Sequence, residues 1–460
     1  MASGEPMQPA SLFFDKGSIL IRGEVRMPYT VWDYRMKVFR AQALYYREIV
    51  EYLERSKLSL EDEVQDLVPC PNLKCKVRLR DYQEQALGSW NDGGRKGVIV
   101  LPTGAGKTVI ALKAIELVNQ SSIVIVPTLD LVEQWRSRLE DEFDVEVGVY
   151  GGGDNRIGAL TVSTYDSAYL RAGEIGNRFS FIVFDEVHHL AAEGYRQIAE
   201  MFTAPYRMGL TATYEREDML HKELPRLVGG VVYRLRPESL TGRYLSEYTL
   251  RRISVELTPE EKEEYDRNWN IFSDYLSRRN IRITSPADFQ RFIMRTGTDR
   301  DAREALLARN RAMDIAFNSE AKIGALEEIL NSNPNERILI FTQHNELVYR
   351  ISKRFLIPYI TYTTDKEERH ETLKRFKDGS FRAIVTSKVL DEGIDVPEAS
   401  LGIIVSGTGS AREFIQRLGR LLRKKEWKEA KLIELVSKET SEIKTSWRRK
   451  RSRVEDDAVG

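Results

Sequence analysis

Two short runs hold the residue types that do chemistry. Residues 181–190 read FIVFDEVHHL and set Asp185 and Glu186 beside His188 and His189, in a chain with only five histidines. Residues 98–118 read VIVLPTGAGKTVIALKAIELV, where an apolar run ends in small residues, a lysine and a threonine. Carboxylates beside histidines fit either a metal-hydrolase ligand set or the working end of a nucleotide-driven enzyme. The second run decides between them.

The pattern G-x-x-x-x-G-K-[ST] is met except that Pro102 stands where the first glycine usually does. Thr103, Gly104, Ala105, Gly106, Lys107 and Thr108 follow a four-residue apolar strand and precede residues at helical spacing, the strand-loop-helix context this motif requires. Small residues let backbone N–H groups wrap phosphates, and the new helix aims its positive end at them. Lys107 would neutralise the β/γ-phosphates of ATP, and the Thr108 hydroxyl would ligate Mg²⁺. FIVF is a second buried strand, and in enzymes with such a loop an acid at its end holds Mg²⁺ while its neighbour orients the attacking water. Asp185 and Glu186 suit those roles. Adjacent histidines on a turn point in different directions, unlike the i, i+4 pair of a zinc helix, so they are not expected to share a metal.

These side chains need a scaffold. Strand-like runs recur at 98–101, 123–126, 160–163, 181–184 and 208–210, separated by helical stretches such as 129–143. A second series lies at 338–342, 382–386, 401–405 and 432–436. This alternation predicts an α/β fold with two doubly wound parallel sheets in tandem lobes. Only the first lobe has a phosphate loop. In QRLGRLLR at 416–423, Arg420 and Arg423 are three apart on one helix face, spaced to act as arginine fingers from the second lobe.

At 460 residues the chain calls for roughly two to four domains. Charged residues at 30% with 42% apolar ones describe a globular protein, and no apolar run approaches the ~18 to 20 residues of a membrane span. The N-terminus MASGEPMQPASLFF has no export pattern, and Cys70 and Cys75 cannot alone make a disulfide framework or a four-ligand zinc site. A cytoplasmic location is expected, or a nuclear one in a eukaryote. Basic and acidic residues balance at 70 each, so only a local basic surface could mark a nucleic-acid partner. RRKR at 448–451 is either a solvated tail or such a contact.

With DEVH at 185–188 the chain resembles a superfamily-two helicase or translocase, and further blocks stand in the expected order. VPTLDLVEQW (126–135), STYD (163–166), TAT (211–213), ILIFTQ (338–343), VLDEGIDVPEAS (389–400) and QRLGRLLR resemble motifs Ia to VI. TYEREDM holds Arg216, Glu217 and Asp218, a RED signature that, with DEVHHL and GSAREFIQRLGR, resembles the XPB family of DNA helicases in its archaeal form. The resemblance implies an ATP- and Mg²⁺-dependent helicase moving 3′→5′ in nucleotide excision repair or transcription-linked opening. It implies a monomeric motor acting on duplex or forked DNA without sequence preference, and a separate nuclease partner.

Roles follow from the same likeness. Gln83, with Arg80, would read adenine. Pro127, Thr128, Thr164 and Thr386 would grip DNA phosphates, Gly393 and Asp395 would couple nucleotide state to that grip, and His188, Thr211 and Thr213 would relay between sites. Gln416 completes the block that supplies the arginine fingers. The RED triad is either a salt-bridge cluster or a strand-separating wedge.

The expected domains are a small α/β, damage-recognition-like DNA-binding domain at 1–75, with a helix from about 31 to 57, and a first RecA-like lobe at 76–239. A helical insertion at 240–315 is either a small core or a DNA-gripping thumb, with Arg278, Arg279, Arg282, Arg291 and Arg295 as phosphate contacts. A second RecA-like lobe at 316–440 and a charged tail at 441–460 complete the chain. Thr258-Pro-Glu-Glu and Ser285-Pro-Ala-Asp predict helix starts, and 301–317 predicts a third helix. The alternative is a DNA-stimulated ATPase subunit that anchors or regulates a partner without unwinding. A metal nuclease is disfavoured because no acidic or histidine cluster lies outside the ATP motifs.

Overall fold

The computed structural model describes residues 10–23, 27–56, 60–216, 218–235, 248–387, 399–406 and 430–443. The chain divides near residue 240 into two compact units.

The first unit begins with a five-stranded sheet of β1 (Ala10–Asp15), β2 (Ser18–Arg22), β3 (Val31–Asp33), β4 (Val38–Gln42) and β5 (Leu60–Glu63), ordered β3-β4-β2-β1-β5. The expected helix from 31 is shorter than the apolar spacing suggests. Residues 31–42 form the β3–β4 hairpin, and only Tyr46–Arg55 is α-helical. Asp33 Oδ1 accepts from the amides of Arg35 and Met36, at 2.9 and 3.2 Å, and Lys37 turns the chain at φ +52°. A short acidic side chain that bonds nearby amides competes with helix formation.

The same unit holds an eight-stranded sheet of β6 (Lys96–Val100), β7 (Ser122–Val126), β8 (Val147–Gly151), β9 (Asp154–Asn155), β10 (Leu160–Thr164), β11 (Phe181–Asp185), β12 (Tyr206–Thr211) and β13 (Val231–Arg234). Its order is β13-β6-β12-β11-β7-β10-β8-β9, with every pairing parallel except β8–β9. Every residue of β7, β10 and β11 is buried, and β7 and β11 accordingly read as near-continuous apolar runs, while β10 buries Thr161, Ser163 and Thr164 among its apolar residues. Arg207 on β12 is 1% exposed, and its guanidinium donates to the carbonyls of Ala199, Phe202, Ala204 and Leu227. Burial pulls it down to about 10, so it stays charged at neutral pH. Helix Tyr46–Arg55, which follows the N-terminal sheet, is tied to this lobe by Lys96 to Glu48 at 2.6 Å and Arg47 to the Gly94 carbonyl at 2.6 Å.

In the second unit, β14 (Tyr248–Val255), β15 (Ile338–Phe341), β16 (Tyr359–Ile360), β17 (Ala383–Thr386), β18 (Leu401–Ile404) and β19 (Ala430–Ser437) form one parallel sheet, ordered β14-β19-β18-β15-β17-β16. Residues 248–255, expected within the helical insertion, instead pair with β19 over their whole length. The partner lies far along the chain, so local sequence carries no sign of the pairing.

Helices Pro259–Arg278 and Pro286–Arg295 start as their capping residues predict, and Arg300–Asn318 covers the third expected helix. Thr258 with Glu261, and Ser285 with Asp288, form reciprocal capping boxes. Phe272, Tyr275, Phe292, Ala302 and Ala305 make their small core, and the five arginines named above are all exposed. The second unit also buries an ion pair. Lys322 Nζ lies 2.7 Å from both oxygens of Glu442 and 3.0 Å from the Val405 carbonyl it donates to.

Candidate functional site

The phosphate loop leaves the carboxyl end of β6 and enters helix Lys107–Val118. Gly104 and Gly106 sit at φ +82° and +77°, in the left-handed region where a side chain is strained. A Cβ at Gly106 would also meet Gln83 Nε2 at 2.5 Å. The Ala105 carbonyl accepts from Tyr82 OH at 2.7 Å and from Gln83 Nε2 at 2.9 Å. Gln83 Oε1 meanwhile accepts from the Arg80 amide at 2.9 Å. The carboxamide expected to read adenine therefore also braces the loop, and it is buried while Arg80 is exposed.

Asp185 ends β11, the strand beside β12. Its Oδ1 accepts from the Glu186 amide at 3.0 Å and its Oδ2 from Trp135 Nε1 at 2.9 Å. Tyr165 OH donates to its carbonyl at 3.0 Å. Burial, followed by repulsion from Glu186, raises the Asp185 carboxyl to about 6, although Lys107 and the Trp135 hydrogen bond oppose the shift. Glu186 turns the chain sharply at φ +47°, a strained backbone for a residue with a side chain and the kind found at functional sites.

From Glu186 a hydrogen-bonded relay runs onto β12. The Thr211 hydroxyl lies 3.2 Å from Glu186 Oε2 and 3.1 Å from Nδ1 of the buried His188. It also lies 2.8 Å from the Thr213 carbonyl and accepts from the Thr213 amide. Arg216 adds a branch: Nη1 donates to the His188 carbonyl at 2.7 Å, while Nε and Nη2 grip both oxygens of Asp218. That bidentate bond holds Asp218 down to about 2. Arg216 and Asp218 thus form the salt-bridge cluster, moored to the DEVH turn.

Among the other expected residues, the structure separates backbone from hydroxyl. Thr128 Oγ1 accepts from the Leu131 amide and Thr164 Oγ1 from the Ser167 amide, so both are helix N-caps. Thr386 is fully buried and donates to the Ser387 carbonyl at 3.0 Å. Both cap hydroxyls accept amide N–H groups, the Thr164 hydroxyl also donates to Ser167 Oγ at 2.9 Å, and the Thr386 side chain is fully buried. Pro127 precedes the Thr128 cap on a partly exposed turn. Glu217, Gly393, Asp395, Gln416, Arg420 and Arg423 lie outside the described residues. Sequence reasoning missed Trp135, Tyr82 and Tyr165, because nothing local marks a core aromatic as the partner of a distant polar atom.

A triphosphate with Mg²⁺ suits this arrangement. Thr103 Oγ1 is buried without a hydrogen-bond partner inside the loop, Thr213 Oγ1 is likewise orphaned, and Asp185 is a desolvated carboxylate short of positive charge. Ligands of open parallel sheets bind at these carboxyl ends of the strands.

Comparison with known proteins places the pieces. Residues 12–64 match the model of the xeroderma pigmentosum group B helicase damage recognition domain. Residues 76–216 match the type III restriction enzyme res subunit, and 321–425 the helicase conserved C-terminal domain. The chain is 46% identical to the DNA 3′-5′ translocase XPB2 of Sulfurisphaera tokodaii, over 94% of this chain and 98% of that one. It is 30% identical to a putative DNA 3′-5′ helicase Rad25 of Haloarcula marismortui, over 80% of this chain and only 54% of that longer one. The solved Hef helicase domain of Pyrococcus furiosus shares the fold at a TM-score of 0.54 and 21% identity, covering 81% of this chain and 98% of that one. With the phosphate loop, the DEVH turn and a near full-length relative in agreement, the chain belongs to the XPB family.

Proposed function

We propose that this protein is an ATP-dependent DNA helicase and translocase that moves 3′→5′ and opens duplex DNA in nucleotide excision repair or transcription-linked opening. The observation that carries this is the Glu186–Thr211–His188 relay, which starts at the carboxylate next to Asp185 and ends at the turn to which Arg216 is bonded. Mg²⁺, when bound, neutralises charge on the β/γ-phosphates.

Lys107 and the loop amides bind the phosphates, Thr108 and Asp185 hold the metal, and Glu186 orients the attacking water and takes its proton. Arg420 and Arg423 act as fingers from the second lobe, within the block that includes Gln416. Gly393 and Asp395 link that lobe to DNA. Thr211 senses Glu186, and His188 passes the change to the Arg216–Asp218 pair, beside which Glu217 completes the RED triad. Backbone amides near Pro127, Thr128, Thr164 and Thr386 hold DNA phosphates, which carry no sequence information.

Among the described residues no helix is long and apolar enough to cross a membrane. A cytoplasmic, monomeric motor working with a nuclease is the finer reading. Strand displacement on a forked duplex, measured beside DNA-stimulated ATP hydrolysis, tests the assignment. Hydrolysis without displacement would favour an ATPase subunit that anchors a partner instead, a reading to which the mutual neutralisation of Arg216 and Asp218 lends weight.

A further inference from the structure

The Asp185 carboxylate is held by a residue outside the phosphate loop and outside its own strand. Trp135 lies on helix Leu129–Phe143, the helix that follows Pro127 and Thr128, and is 2% exposed. Its indole N–H reaches Asp185 Oδ2 at 2.9 Å from a position fifty residues earlier in the chain. The Glu186 amide takes the other oxygen, Oδ1, at 3.0 Å, and Tyr165 OH fixes the backbone carbonyl at 3.0 Å.

Two donors, one on each oxygen, leave the carboxylate little freedom to rotate, while the third pins the backbone that carries it. A carboxylate oxygen has two lone pairs, so one on each oxygen stays available to a cation or to water bound by it. An indole N–H is a donor only. It cannot ligate a cation or lend a lone pair to one, so at this position it can act only by orienting the carboxylate. Ligand-orienting partners of this kind commonly matter to metal affinity by roughly ten- to hundredfold.

We infer that Trp135 is a positioning residue for the divalent cation, setting the rotamer in which Asp185 receives Mg²⁺ with the nucleotide. This rests on the reading of Asp185 as a metal ligand. The burial of Trp135 against the sheet fits a rigid support, since an orienting group serves only if its own rotamer is locked.

The test compares the full-length protein with Trp135→Phe, which keeps an aromatic ring and removes the N–H. Mn²⁺ binding in the presence of a non-hydrolysable ATP analogue is followed by electron paramagnetic resonance, alongside the Mg²⁺ midpoint of hydrolysis. Both midpoints should rise by about tenfold, with hydrolysis largely recovered at saturating Mg²⁺ and metal-free nucleotide binding unchanged. Should the ring change perturb folding, 3-benzothienylalanine introduced at 135 replaces N–H by sulfur in nearly the same shape and is expected to give the same shift.

Unchanged midpoints in a folded variant would overturn the inference. Asp185→Asn in parallel separates the two layers. If it shifts the Mn²⁺ midpoint and the Trp135 variants do not, only the role of Trp135 fails. If Asp185→Asn leaves the Mn²⁺ midpoint unmoved as well, the metal-ligand reading fails with it.

Discussion

Thr211 on β12 and His188 on the turn after β11 meet at 3.1 Å, hydroxyl to Nδ1, and the same hydroxyl lies 3.2 Å from Glu186. One small side chain therefore touches both the carboxylate proposed to handle water and the imidazole that leads away from it. Hydrogen bonds to charged groups contribute about 1.5–3 kcal/mol. Thr211→Val should cut strand displacement per ATP consumed by about tenfold, with a smaller loss of hydrolysis. Parallel displacement and phosphate-release assays check this. An equal fall in both would confine Thr211 to hydrolysis.

Lys107 stands at the start of the loop helix, where its ammonium donates to the Leu101 carbonyl at 3.3 Å. Lys107→Ala should abolish hydrolysis yet leave DNA affinity and its salt dependence within about twofold, because phosphate contacts on the DNA set that slope. Salt titrations of binding to a fluorescent duplex provide the measurement. Joint loss of DNA binding in a folded variant would relocate the DNA grip to the loop.

Asp185 gives a pH prediction. Its carboxyl rises to about 6 in the folded protein through burial and then Glu186, against an unfolded value of about 3.9. A raised folded pKa means protonation favours the folded state. That contribution is complete below the unfolded pKa and disappears as pH climbs through the folded one. Asp185→Asn should therefore raise the melting temperature of nucleotide-free protein in chelator at about pH 7.5, with the gain shrinking toward about pH 4. The same variant should lose hydrolysis. A melting temperature lowered at neutral pH would contradict the assigned environment.

Lys322 and Glu442 are 0% and 1% exposed. Removing one partner strands the other charge, at a cost of about 3–5 kcal/mol. Lys322→Met should sharply lower the urea midpoint of the second unit, and pairing it with Glu442→Leu should restore much of the loss. A single variant as stable as the parent would show that the pair is not buried in solution.

Arg420 tests the finger assignment. Arg420→Ala should reduce the hydrolysis rate by about a thousandfold or more with little change in nucleotide affinity, because a finger acts mainly in the transition state. Single-turnover kinetics beside equilibrium nucleotide binding separate the two effects. Equal loss of binding would make Arg420 a ground-state anchor.

Much of the lobe architecture was legible because its signals are local. A strand buried on both faces favours a near-continuous apolar run, as FIVF and IVIV show, and a helix start favours an amide acceptor, as Thr258 and Ser285 show. The glycines of the phosphate loop announce left-handed backbone for the same reason. The hairpin at 31–42 was not legible, because its apolar residues also suit a helix and the two amides bonded to Asp33 decide against one.

Taken alone, the order of residues determined the phosphate loop, the acidic end of β11, the helix caps and the RED triad. Each depends on neighbours a few positions apart. Tertiary structure decided that Trp135 holds Asp185, that Gln83 braces Ala105, that four carbonyls cage Arg207 and that β14 joins the second sheet. Those pairings span from about twenty to nearly two hundred residues, save three of the Arg207 bonds that arise within one turn region. A buried polar atom must find a partner, but which distant group supplies it is settled only when packed strands and helices bring the two within 3 Å.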